Sequence, residues 1–464
     1  MNNSFNLNSI LIDENGQKFI LKNKIEKSDL FINSFLKKRE LIFFLCNNTI
    51  DSISLYVSFI NKGIVPILFN SDLEQSFIKN IIKKYKPSYI FTPSTNISCD
   101  FKYDEFLTYN SFSVFKSRNS IEVELNSELA ILLSSSGSTG SPKLIRISYN
   151  NLLSNAISIS NYLNLNSDEI AITNMPMNYS YGLSIINSHL YVGAKIVVTE
   201  KSIIQRDFWD LVKINKVTSL SGVPYTFEIL KKIKFFKMDL PSIKYMTQAG
   251  GKLSNSIIEE FANHSRNKKI DFFIMYGQTE GTARLSYLNP NKILEKLGSI
   301  GKAIPGGKFS LINSENKTIE LSNIEGELVY VGENVMMGYA NEIYHLSNGA
   351  ELNNTLHTGD LAYKDEDGYF FITGRKKRFI KIYGNRFSLD EIENHVKNNE
   401  IECACTGNDD KLKVFITNIN SKHKVINILK KMKIQKSAFN ILYIDILPKN
   451  NSGKILYSKL NSNE

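Results

Sequence analysis

Short apolar runs alternate with longer amphipathic segments through the N-terminal part of the chain. The apolar run 41–45 predicts a buried strand, and residues 52–61 predict a helix that packs on it. The next apolar run, 64–69, predicts a second strand, followed by a helix over 73–84 and a third strand over 88–92. Alternation at this spacing is typical of βαβ units, which build a largely parallel sheet.

The alternation continues in the middle of the chain and then changes. From residue 168 onward, strand-like apolar runs recur at 196–199, 217–220, 243–247 and 272–275, which predicts a second βαβ block. After about residue 300, runs such as 327–331 and 369–373 are separated by glycine-rich turns. This pattern predicts an antiparallel or barrel-like subdomain.

A charged segment, residues 374–378 (GRKKR), marks the predicted domain boundary. The chain beyond it has strand and helix patterns of its own. We therefore expect an α/β protein of two domains. Residues 1–376 form a large N-terminal domain of two βαβ-type subdomains plus a small barrel-like β subdomain. Residues 377–464 form a small α+β C-terminal domain.

Length and composition exclude several classes of protein. The 464 residues are 42% hydrophobic and 22% charged, which excludes collagen, a coiled coil and wholesale disorder. No apolar run reaches the roughly 18 residues that a membrane helix needs. The N-terminal residues lack the basic-then-apolar layout of a signal peptide. We therefore expect a cytoplasmic protein without a membrane span.

The positive charge is concentrated at one end. Residues 374–464 contain 18 Lys and Arg against nine Asp and Glu, so they carry +9 of the formal net charge of +10. Such a segment either binds an acidic partner or is a set of solvated lysines, and both interpretations stay open. Its basic residues are scattered and match no nucleic-acid-binding module, so we expect no nucleic-acid partner. The four cysteines and six histidines show no metal-binding or disulfide spacing.

The strongest chemical signal is residues 132–143 (LLSSSGSTGSPK). An apolar strand opens into small hydroxyl and glycine residues and ends at Lys143. Glycines let backbone N–H groups approach a phosphate, hydroxyls donate further hydrogen bonds and the lysine supplies countercharge. The spacing is not that of a Walker motif, which argues against a P-loop kinase or NTPase. The alternative interpretation is a flexible Ser/Gly loop.

This loop resembles the phosphate loop of the adenylate-forming superfamily, which comprises acyl-CoA synthetases, adenylation domains of peptide synthetases and luciferases. Segments similar to further family motifs follow in order over about residues 130–460: 248–252, 275–280, 326–332, 337–339, 357–360, 374–375, 381–386 and 448–454. The resemblance implies two half-reactions. A carboxylic acid and Mg-ATP give an acyl-adenylate, and a thiol then takes the acyl group after the mobile C-terminal domain rotates.

The resemblance implies a role for each motif residue. Tyr276 stacks on adenine, Asp360 accepts hydrogen bonds from the ribose, and Arg375 reaches the ribose or a phosphate. A buried tyrosine and a turn-forming aspartate are the alternatives for the first two. The nucleotide-binding set is Ser135, Ser136, Gly137, Ser138, Thr139, Gly140, Gly250, Gly251, Tyr276, Gly277, Asp360 and Arg375, and the catalytic set is Lys143, Thr279, Glu280 and Lys454.

Charge explains why metal is expected beside these residues. Glu280 would be repelled by triphosphate unless a cation lay between them, so Glu280 and Thr139 are the expected Mg²⁺ site. By the resemblance, Lys454 bridges the substrate carboxylate and the α-phosphate as charge accumulates in the transition state. The alternative is a solvated surface lysine. The resemblance also makes Lys377 the hinge between the domains and places Gly384 beside the tunnel for the thiol.

Residues 175–183 align with the segment that lines the acyl pocket in the superfamily. Tyr179, Gly182 and Gly222 are the expected pocket residues. Amino-acid-activating relatives carry an aspartate at the position that matches Gly182, and glycine cannot supply that charge. We therefore expect an uncharged acyl or aryl acid, while an amino-acid substrate remains an alternative. Gly222 is equally compatible with a simple strand-end turn.

The acceptor of the acyl group is expected to carry a phosphopantetheine thiol. Coenzyme A and a separate acyl carrier protein both do so, and both are acidic enough to suit the basic C-terminal segment. The breadth of that segment favours the carrier protein slightly. The expected substrates and cofactors are thus a small carboxylic acid, ATP, Mg²⁺ and CoA or phosphopantetheine. A catalytically inert nucleotide-binding scaffold is the alternative from another functional class.

Overall fold

The computed structural model describes residues 5–73, 75–93, 103–119, 121–134, 143–376, 378–383, 385–409, 411–449 and 455–461. The strands in these ranges are β1 (Ile10–Ile12), β2 (Lys18–Ile20), β3 (Leu41–Cys46), β4 (Val65–Asn70), β5 (Tyr89–Pro93), β6 (Tyr103–Tyr109), β7 (Phe112–Ser117), β8 (Leu129–Ser134), β9 (Leu144–Ser148), β10 (Ile170–Ile172), β11 (Lys195–Val197), β12 (Ser219–Gly222), β13 (Tyr245–Gln248), β14 (Asp271–Tyr276), β15 (Ser286–Leu288), β16 (Lys302–Ala303), β17 (Lys308–Ile312), β18 (Gly326–Val331), β19 (Gly338–Ala340), β20 (Thr355–Lys364), β21 (Phe370–Arg375), β22 (Phe379–Ile382), β23 (Asn385–Ser388), β24 (Cys403–Asn408), β25 (Lys411–Ile416) and β26 (Phe439–Tyr443). The helices are α1 (Leu21–Asn33), α2 (Ile50–Lys62), α3 (Gln75–Tyr85), α4 (Tyr149–Tyr162), α5 (Ser180–Tyr191), α6 (Arg206–Ile214), α7 (Pro224–Lys232), α8 (Asn255–Lys268), α9 (Leu389–Lys397), α10 (Lys422–Lys431) and α11 (Tyr457–Asn461).

The first βαβ block forms the centre of an eight-stranded sheet. The strand order is β19-β9-β8-β4-β3-β5-β7-β6, and the pairs β3–β4, β3–β5 and β4–β8 are parallel. Every residue of β3 is buried, as its continuous apolar run predicts. Thr49 caps the N-terminus of α2, and Gly63 ends that helix in the left-handed conformation. The prediction of parallel βαβ units is confirmed here.

The second block is split between two sheets. Strands β12, β13 and β14 are parallel neighbours in a five-stranded sheet. Strands β10 and β11 instead lie in a four-stranded sheet, where β11 also pairs with β1 from the start of the chain. The sequence pattern did not reveal this pairing, because β1 and β11 are far apart along the chain.

The region after residue 300 is antiparallel, as the pattern predicts. Strands β17, β18, β20 and β21 follow one another in a four-stranded antiparallel sheet. Its apolar face packs around buried side chains such as Phe309, Leu328 and Tyr330. This sheet supplies Asp360 on β20 and Arg375 on β21 to the site described below.

The C-terminal residues have a hydrophobic core of their own. Helices α9 and α10 pack on the three-stranded sheet β24-β25-β26, and the buried residues of this core run from Ile380 to Phe439. Within the described residues, Cys46, Cys403 and Cys405 are buried free thiols. Among the helices that the structure describes, none is long and apolar enough to cross a membrane.

Candidate active site

Three polar side chains converge around Asp360. Its Oδ2 accepts hydrogen bonds from the Tyr276 hydroxyl at 2.5 Å and from Gln278 Nε2 at 2.8 Å. Its Oδ1 lies 3.2 Å from Arg375 Nε. Gln278 Nε2 is also 3.0 Å from the Thr358 carbonyl oxygen. The carboxylate is therefore held in one orientation by neutral donors on one side and a guanidinium on the other.

Local structure explains how these groups meet. Asp360 is directly opposite Arg375 in the β20–β21 register, and Tyr276 is the last residue of β14. The chain then turns sharply at Gly277, where a Cβ would lie 1.7 Å from the Ala283 carbonyl oxygen, so only glycine fits. Burial, followed by the charge of Asp360, raises the pKa of Tyr276 well above its usual value. The Tyr276 hydroxyl thus remains protonated and donates to Asp360. Stacking of the Tyr276 ring on adenine stays a prediction.

The residues after this turn form a second polar group. Thr279 and Glu280 begin a short 3-10 helix, Thr279–Gly281. The Thr279 hydroxyl lies 3.1 Å from the Ser180 hydroxyl, at the first residue of α5. The Tyr339 hydroxyl donates to Glu280 Oε1 at 2.9 Å, and Lys143 Nζ lies 5.4 Å from the centroid of the Tyr339 ring. The structure thus brings together three of the four predicted catalytic residues.

The acyl segment and the predicted adenine-binding glycines lie against each other. A Cβ on Gly250, whose φ is +84°, would lie 2.7 Å from the Tyr179 hydroxyl oxygen. A Cβ on Gly251 would lie 3.2 Å from Pro224, at the start of α7. Gly222 ends β12 and packs against Thr226 of the same helix. Tyr179 and the glycine pair are therefore neighbours, although their motifs are widely separated in sequence.

Gly182 occupies a tightly packed position in the acyl segment. Gly182 lies inside α5, and a Cβ there would lie 2.1 Å from the Pro176 carbonyl oxygen. This backbone has no room for an aspartate side chain. Position 182 therefore supplies no negative charge to a substrate ammonium, as expected from the sequence. The preference for an uncharged acyl or aryl acid stays a prediction.

The C-terminal core approaches this site through Lys449. Its Nζ lies 4.9 Å from the Tyr225 ring centroid at the start of α7 and 2.6 Å from Glu402 Oε1. Lys449 also pairs with Ile455 in an isolated antiparallel bridge. Lys454, Ser135 to Gly140, Lys377 and Gly384 lie outside the described residues, so their predicted roles stay predictions.

Comparison with known proteins decides the family. The model of the AMP-binding enzyme family matches residues 32–340, which is more than half of the chain. The chain belongs to the AMP-binding enzyme family. A 2-succinylbenzoate–CoA ligase of Bacillus cereus is 26% identical to this AMP-binding enzyme over 448 residues, covering 92% of this chain and 88% of the relative. The resemblance inferred from the motifs is confirmed.

Solved structures show the same fold. The o-succinylbenzoate CoA synthetase from Bacillus subtilis, in complex with the acyl-adenylate intermediate OSB-AMP, superposes with a TM-score of 0.80 at 21% identity, covering 98% of this chain and 96% of that chain. The McyG A-PCP structure with phenylalanyl-adenylate gives a TM-score of 0.72 at 20% identity, covering 97% and 79%. At such identities the likeness establishes the α/β fold of this AMP-binding enzyme.

The residues around Glu280 fit a magnesium ion bound with a nucleotide. Within the described residues, Glu280 takes part in no ion pair, and its Oε1 accepts only the neutral Tyr339 hydroxyl. No cluster of three or more metal-ligating side chains occurs in that part of the chain. A single free carboxylate suits Mg²⁺, which usually binds one or two carboxylates together with substrate phosphates. Glu280 is therefore the residue that would hold this ion.

Several residues of the site were not found from the sequence. Gln278, Ser180 and Tyr339 contact Asp360, Thr279 and Glu280, respectively. The position of Gln278 inside the motif 275–280 was a usable signal. Ser180 and Tyr339 lie in the segments 175–183 and 337–339, which the sequence also singled out, but only the folded chain brings them to the motif 275–280.

A further missed group anchors the C-terminal end of the AMP-binding enzyme. Buried Glu393 accepts hydrogen bonds from Arg378 Nη2 at 2.8 Å and from the Tyr457 hydroxyl at 3.0 Å. The Arg378 guanidinium lies 3.9 Å from the centroid of the Tyr457 ring. Tyr457 begins α11 only three residues after Lys454. The chain beside the predicted catalytic lysine is therefore tied to the C-terminal core.

Proposed function

We propose that this protein is an ATP-dependent acid–thiol ligase. It activates a carboxylic acid as an acyl-adenylate and then transfers the acyl group to the thiol of a phosphopantetheine arm. The observation that carries the proposal is the 3.1 Å contact between the Ser180 and Thr279 hydroxyls. It joins the predicted acyl segment to Thr279, one of the predicted catalytic residues, so an acid carboxylate and the α-phosphate of ATP would meet beside it.

In the first step, a carboxylate oxygen of the acid forms a bond to the α-phosphorus of ATP. The bond from that phosphorus to the bridging oxygen breaks, and pyrophosphate leaves. Asp360, fixed by Tyr276 and Gln278, holds the ribose hydroxyls, so the nucleotide is oriented before reaction. Thr279 donates to the α-phosphate, and Lys454 stabilises the charge that develops there. Bound at Glu280, Mg²⁺ would neutralise phosphate charge.

In the second step, the thiol sulfur forms a bond to the acyl carbon. AMP leaves, and the thiol proton passes to solvent. We propose that residues 377–464 rotate as a domain about Lys377 between the two steps, and that Gly384 then lines the path of the thiol. The separate hydrophobic core of residues 380–439 supports such a movement, because the unit does not need the rest of the chain to bury its apolar side chains.

CoA and a holo-carrier protein present the same arm, and we propose that the acceptor is one of these two. The name of the Bacillus cereus relative specifies CoA. The positive charge of residues 374–464 suits the phosphates of CoA and equally the acidic surface of a carrier domain. Since ATP and CoA are cytosolic metabolites, the proposed place of the reaction is the cytoplasm.

The test is pyrophosphate–ATP exchange with Mg²⁺ across a panel of aliphatic, aromatic and amino acids. We expect exchange with at least one acid and its strong reduction in Lys454→Ala. Lys436→Ala, which removes an exposed lysine of the C-terminal core, is the matched control and should keep the wild-type rate. Absence of exchange with every acid would support the inert scaffold instead. Preference for an amino acid would identify an amino-acid-activating enzyme.

The acceptor is tested separately once an acid is known. The purified adenylate-forming protein is offered CoA or a holo-carrier protein, and thioester formation is followed by mass spectrometry. Acylation of CoA alone would exclude the carrier protein, and acylation of the carrier alone would exclude CoA. Thioester formation with neither thiol, despite exchange, would contradict the second step.

A further inference from the structure

The turn that follows β14 contains two residues in an unfavourable backbone conformation. The short 3-10 helix Thr279–Gly281 is followed by Thr282, with a φ of +52°, and by Ala283, with a φ of +97°. Neither residue is glycine, and a positive φ brings the Cβ of an L-residue into close contact with the neighbouring backbone. Such a conformation persists only where surrounding groups hold it, and it is most frequent at functional sites. The contacts that hold this turn therefore decide the positions of Thr279 and Glu280.

Asn334 contacts this turn from the loop between β18 and β19. Only 4% of Asn334 is exposed. Its Nδ2 donates to the Gly281 carbonyl oxygen at 2.7 Å and to the Arg284 carbonyl oxygen at 3.1 Å. Its own carbonyl oxygen accepts from the Thr282 hydroxyl at 2.7 Å. One residue thus holds the chain before, within and after the two strained positions.

The side-chain amide of Asn334 is fixed in a single orientation. Its Oδ1 accepts from the Tyr330 hydroxyl at 2.8 Å, and Tyr330 is fully buried in β18. The nitrogen and the oxygen of the amide are therefore both engaged. Reversing the amide would place its oxygen against two carbonyl oxygens, which cannot donate to it. An asparagine side chain supplies two donors and an acceptor within this short reach, which neither aspartate nor serine does.

The same loop also holds Glu280 directly. The Met336 backbone N–H donates to the Glu280 carbonyl oxygen at 2.9 Å, one residue before the carbonyl that Asn334 binds. Tyr339, on β19, donates to the Glu280 carboxylate. The backbone and the side chain of Glu280 are thus both held by residues between 334 and 339. Because catalytic groups act most strongly when they are held in place before the reaction, such contacts affect the rate without touching the substrate.

We propose that Asn334 is a positioning residue for adenylate formation. Its hydrogen bonds hold the turn 281–284 so that Thr279 meets the α-phosphate and Glu280 holds Mg²⁺. This inference rests on the proposed function and adds a residue that lies between the motif segments 326–332 and 337–339. Asn334 acts only through the turn. Its loss should therefore change the steps that depend on phosphate and Mg²⁺ and leave binding of the nucleoside unchanged.

The test is pyrophosphate–ATP exchange of Asn334→Ala at increasing Mg²⁺ concentration. We expect kcat to fall about ten- to hundredfold, the loss that a displacement of about 1 Å causes in a catalytic group. The Mg²⁺ concentration that gives half-maximal exchange should rise at least about threefold, because Glu280 is the expected carboxylate ligand. KM for the acid should stay near the wild-type value. Isothermal titration calorimetry with adenosine, which has no phosphate, should give the wild-type Kd.

The inference and the proposed function fail in different ways. No exchange by the wild type with any acid of the panel would overturn both. Exchange by the wild type, with unchanged kcat and Mg²⁺ dependence in folded Asn334→Ala, would overturn only the role of Asn334. A parallel loss of exchange and of adenosine affinity, with unchanged Mg²⁺ dependence, would identify a general loss of structure and would also overturn that role.

Asn187→Ala is the matched control. Asn187 on α5 is also 4% exposed, and its Oδ1 accepts from the hydroxyl of buried Tyr56 at 3.1 Å. Within the described residues, no hydrogen bond joins the Asn187 side chain to the turn 281–284. This variant should unfold at a lower temperature and keep the wild-type kcat and Mg²⁺ dependence. The same changes in both variants would show that loss of any buried amide has this effect, contrary to the inference.

A second pair of variants serves if far-UV circular dichroism shows that Asn334→Ala is unfolded. Thr282→Val removes only the hydroxyl that donates to the Asn334 carbonyl oxygen, whereas Thr282→Ser keeps a hydroxyl at the same position. Thr282→Val should lower kcat about three- to tenfold, as the loss of one buried hydrogen bond allows, and should raise the Mg²⁺ requirement. Thr282→Ser should have nearly wild-type kinetics. Equal kinetics of the two variants would overturn the inference.

Discussion

Replacing Asp360 by asparagine changes one atom at the centre of the candidate nucleotide site. Only 4% of Asp360 is exposed; its Oδ2 accepts hydrogen bonds from Tyr276 and Gln278, and its Oδ1 forms an ion pair with Arg375. Asparagine keeps one acceptor oxygen, and its amide nitrogen is a donor. Whichever way the amide turns, that nitrogen faces a donor of the protein. The variant therefore loses charge and gains a donor–donor conflict.

The size of the effect follows from these contacts. A hydrogen bond to a charged group contributes about 1.5–3 kcal/mol, and the variant loses at least one such interaction with the ribose. About 2 kcal/mol corresponds to roughly thirtyfold in a dissociation constant at 25 °C. We therefore expect the Kd for AMP to rise about thirtyfold in Asp360→Asn. Gln278→Met, which removes one neutral donor to Asp360, should raise it less, by about fivefold.

Isothermal titration calorimetry with AMP measures this effect without knowledge of the acid substrate. Asp365→Asn is the matched control, because Asp365 lies just beyond β20 and pairs with Lys296 at 3.0 Å instead of with the site. Its affinity for AMP should equal that of the wild type. If Asp360→Asn binds AMP as tightly as the wild type does, Asp360 is not the ribose-binding residue and the assignment of the site is wrong.

Three further predictions concern the contact of the C-terminal core with Tyr225, the stability that Glu393 contributes, and the pH dependence of stability. Lys449→Ala loses a cation–π contact with Tyr225 and should slow pyrophosphate exchange about two- to fivefold, with no effect on thioester formation from preformed adenylate. Glu393→Gln removes a buried charge and should lower the free energy of unfolding in urea by about 3–5 kcal/mol, whereas Glu391→Gln, at an exposed site, should change it little. Burial lowers the pKa of His189 to about 4. The free energy of unfolding should therefore rise by about 3 kcal/mol from pH 4 to 6.5, because only the unfolded chain binds this proton there, and His189→Gln should reduce that rise.

Each of these three predictions has a result that contradicts it. Equal slowing of adenylate formation and thioester formation in Lys449→Ala would mean that the contact between Lys449 and Tyr225 does not selectively support adenylate formation. Equal urea midpoints for Glu393→Gln and the wild type would mean that the charge contributes no net stability. The same pH dependence in His189→Gln and the wild type would show that another group titrates.

Local patterns in the sequence predicted the elements that depend on local interactions. The continuous apolar run of β3 and the end of α2 at Gly63 could be read directly, because burial and left-handed backbone are properties of single residues. The pairing of strands that are distant along the chain could not be predicted from the sequence. Strand β19 pairs with β9, and β1 pairs with β11, yet periodicity contains no information about which strands become neighbours.

In the candidate site, too, residues within motifs could be predicted from the sequence, whereas contacts between distant segments could not. Asp360, Tyr276 and Glu280 stand in motifs and were identified from them, whereas their partner Tyr339 was singled out only as part of a structural motif. The physical reason for glycine at position 182 could not be predicted either, because the close approach of the Pro176 carbonyl is visible only in the folded chain.

The anchoring of Tyr457 limits how this end of the chain can move independently of the C-terminal core. Glu393 is 3% exposed and binds Arg378, while both contact Tyr457, three residues beyond Lys454. Breaking a buried charge network of this kind costs about 3–5 kcal/mol, which is a large fraction of the stability of a small domain. Separation of Tyr457 from the C-terminal core would require that cost on every turnover. Rotation of the whole C-terminal core about Lys377 avoids it, because the network moves intact. A disulfide or crosslink that holds Lys449 against Tyr225 should therefore permit exchange and block thioester formation.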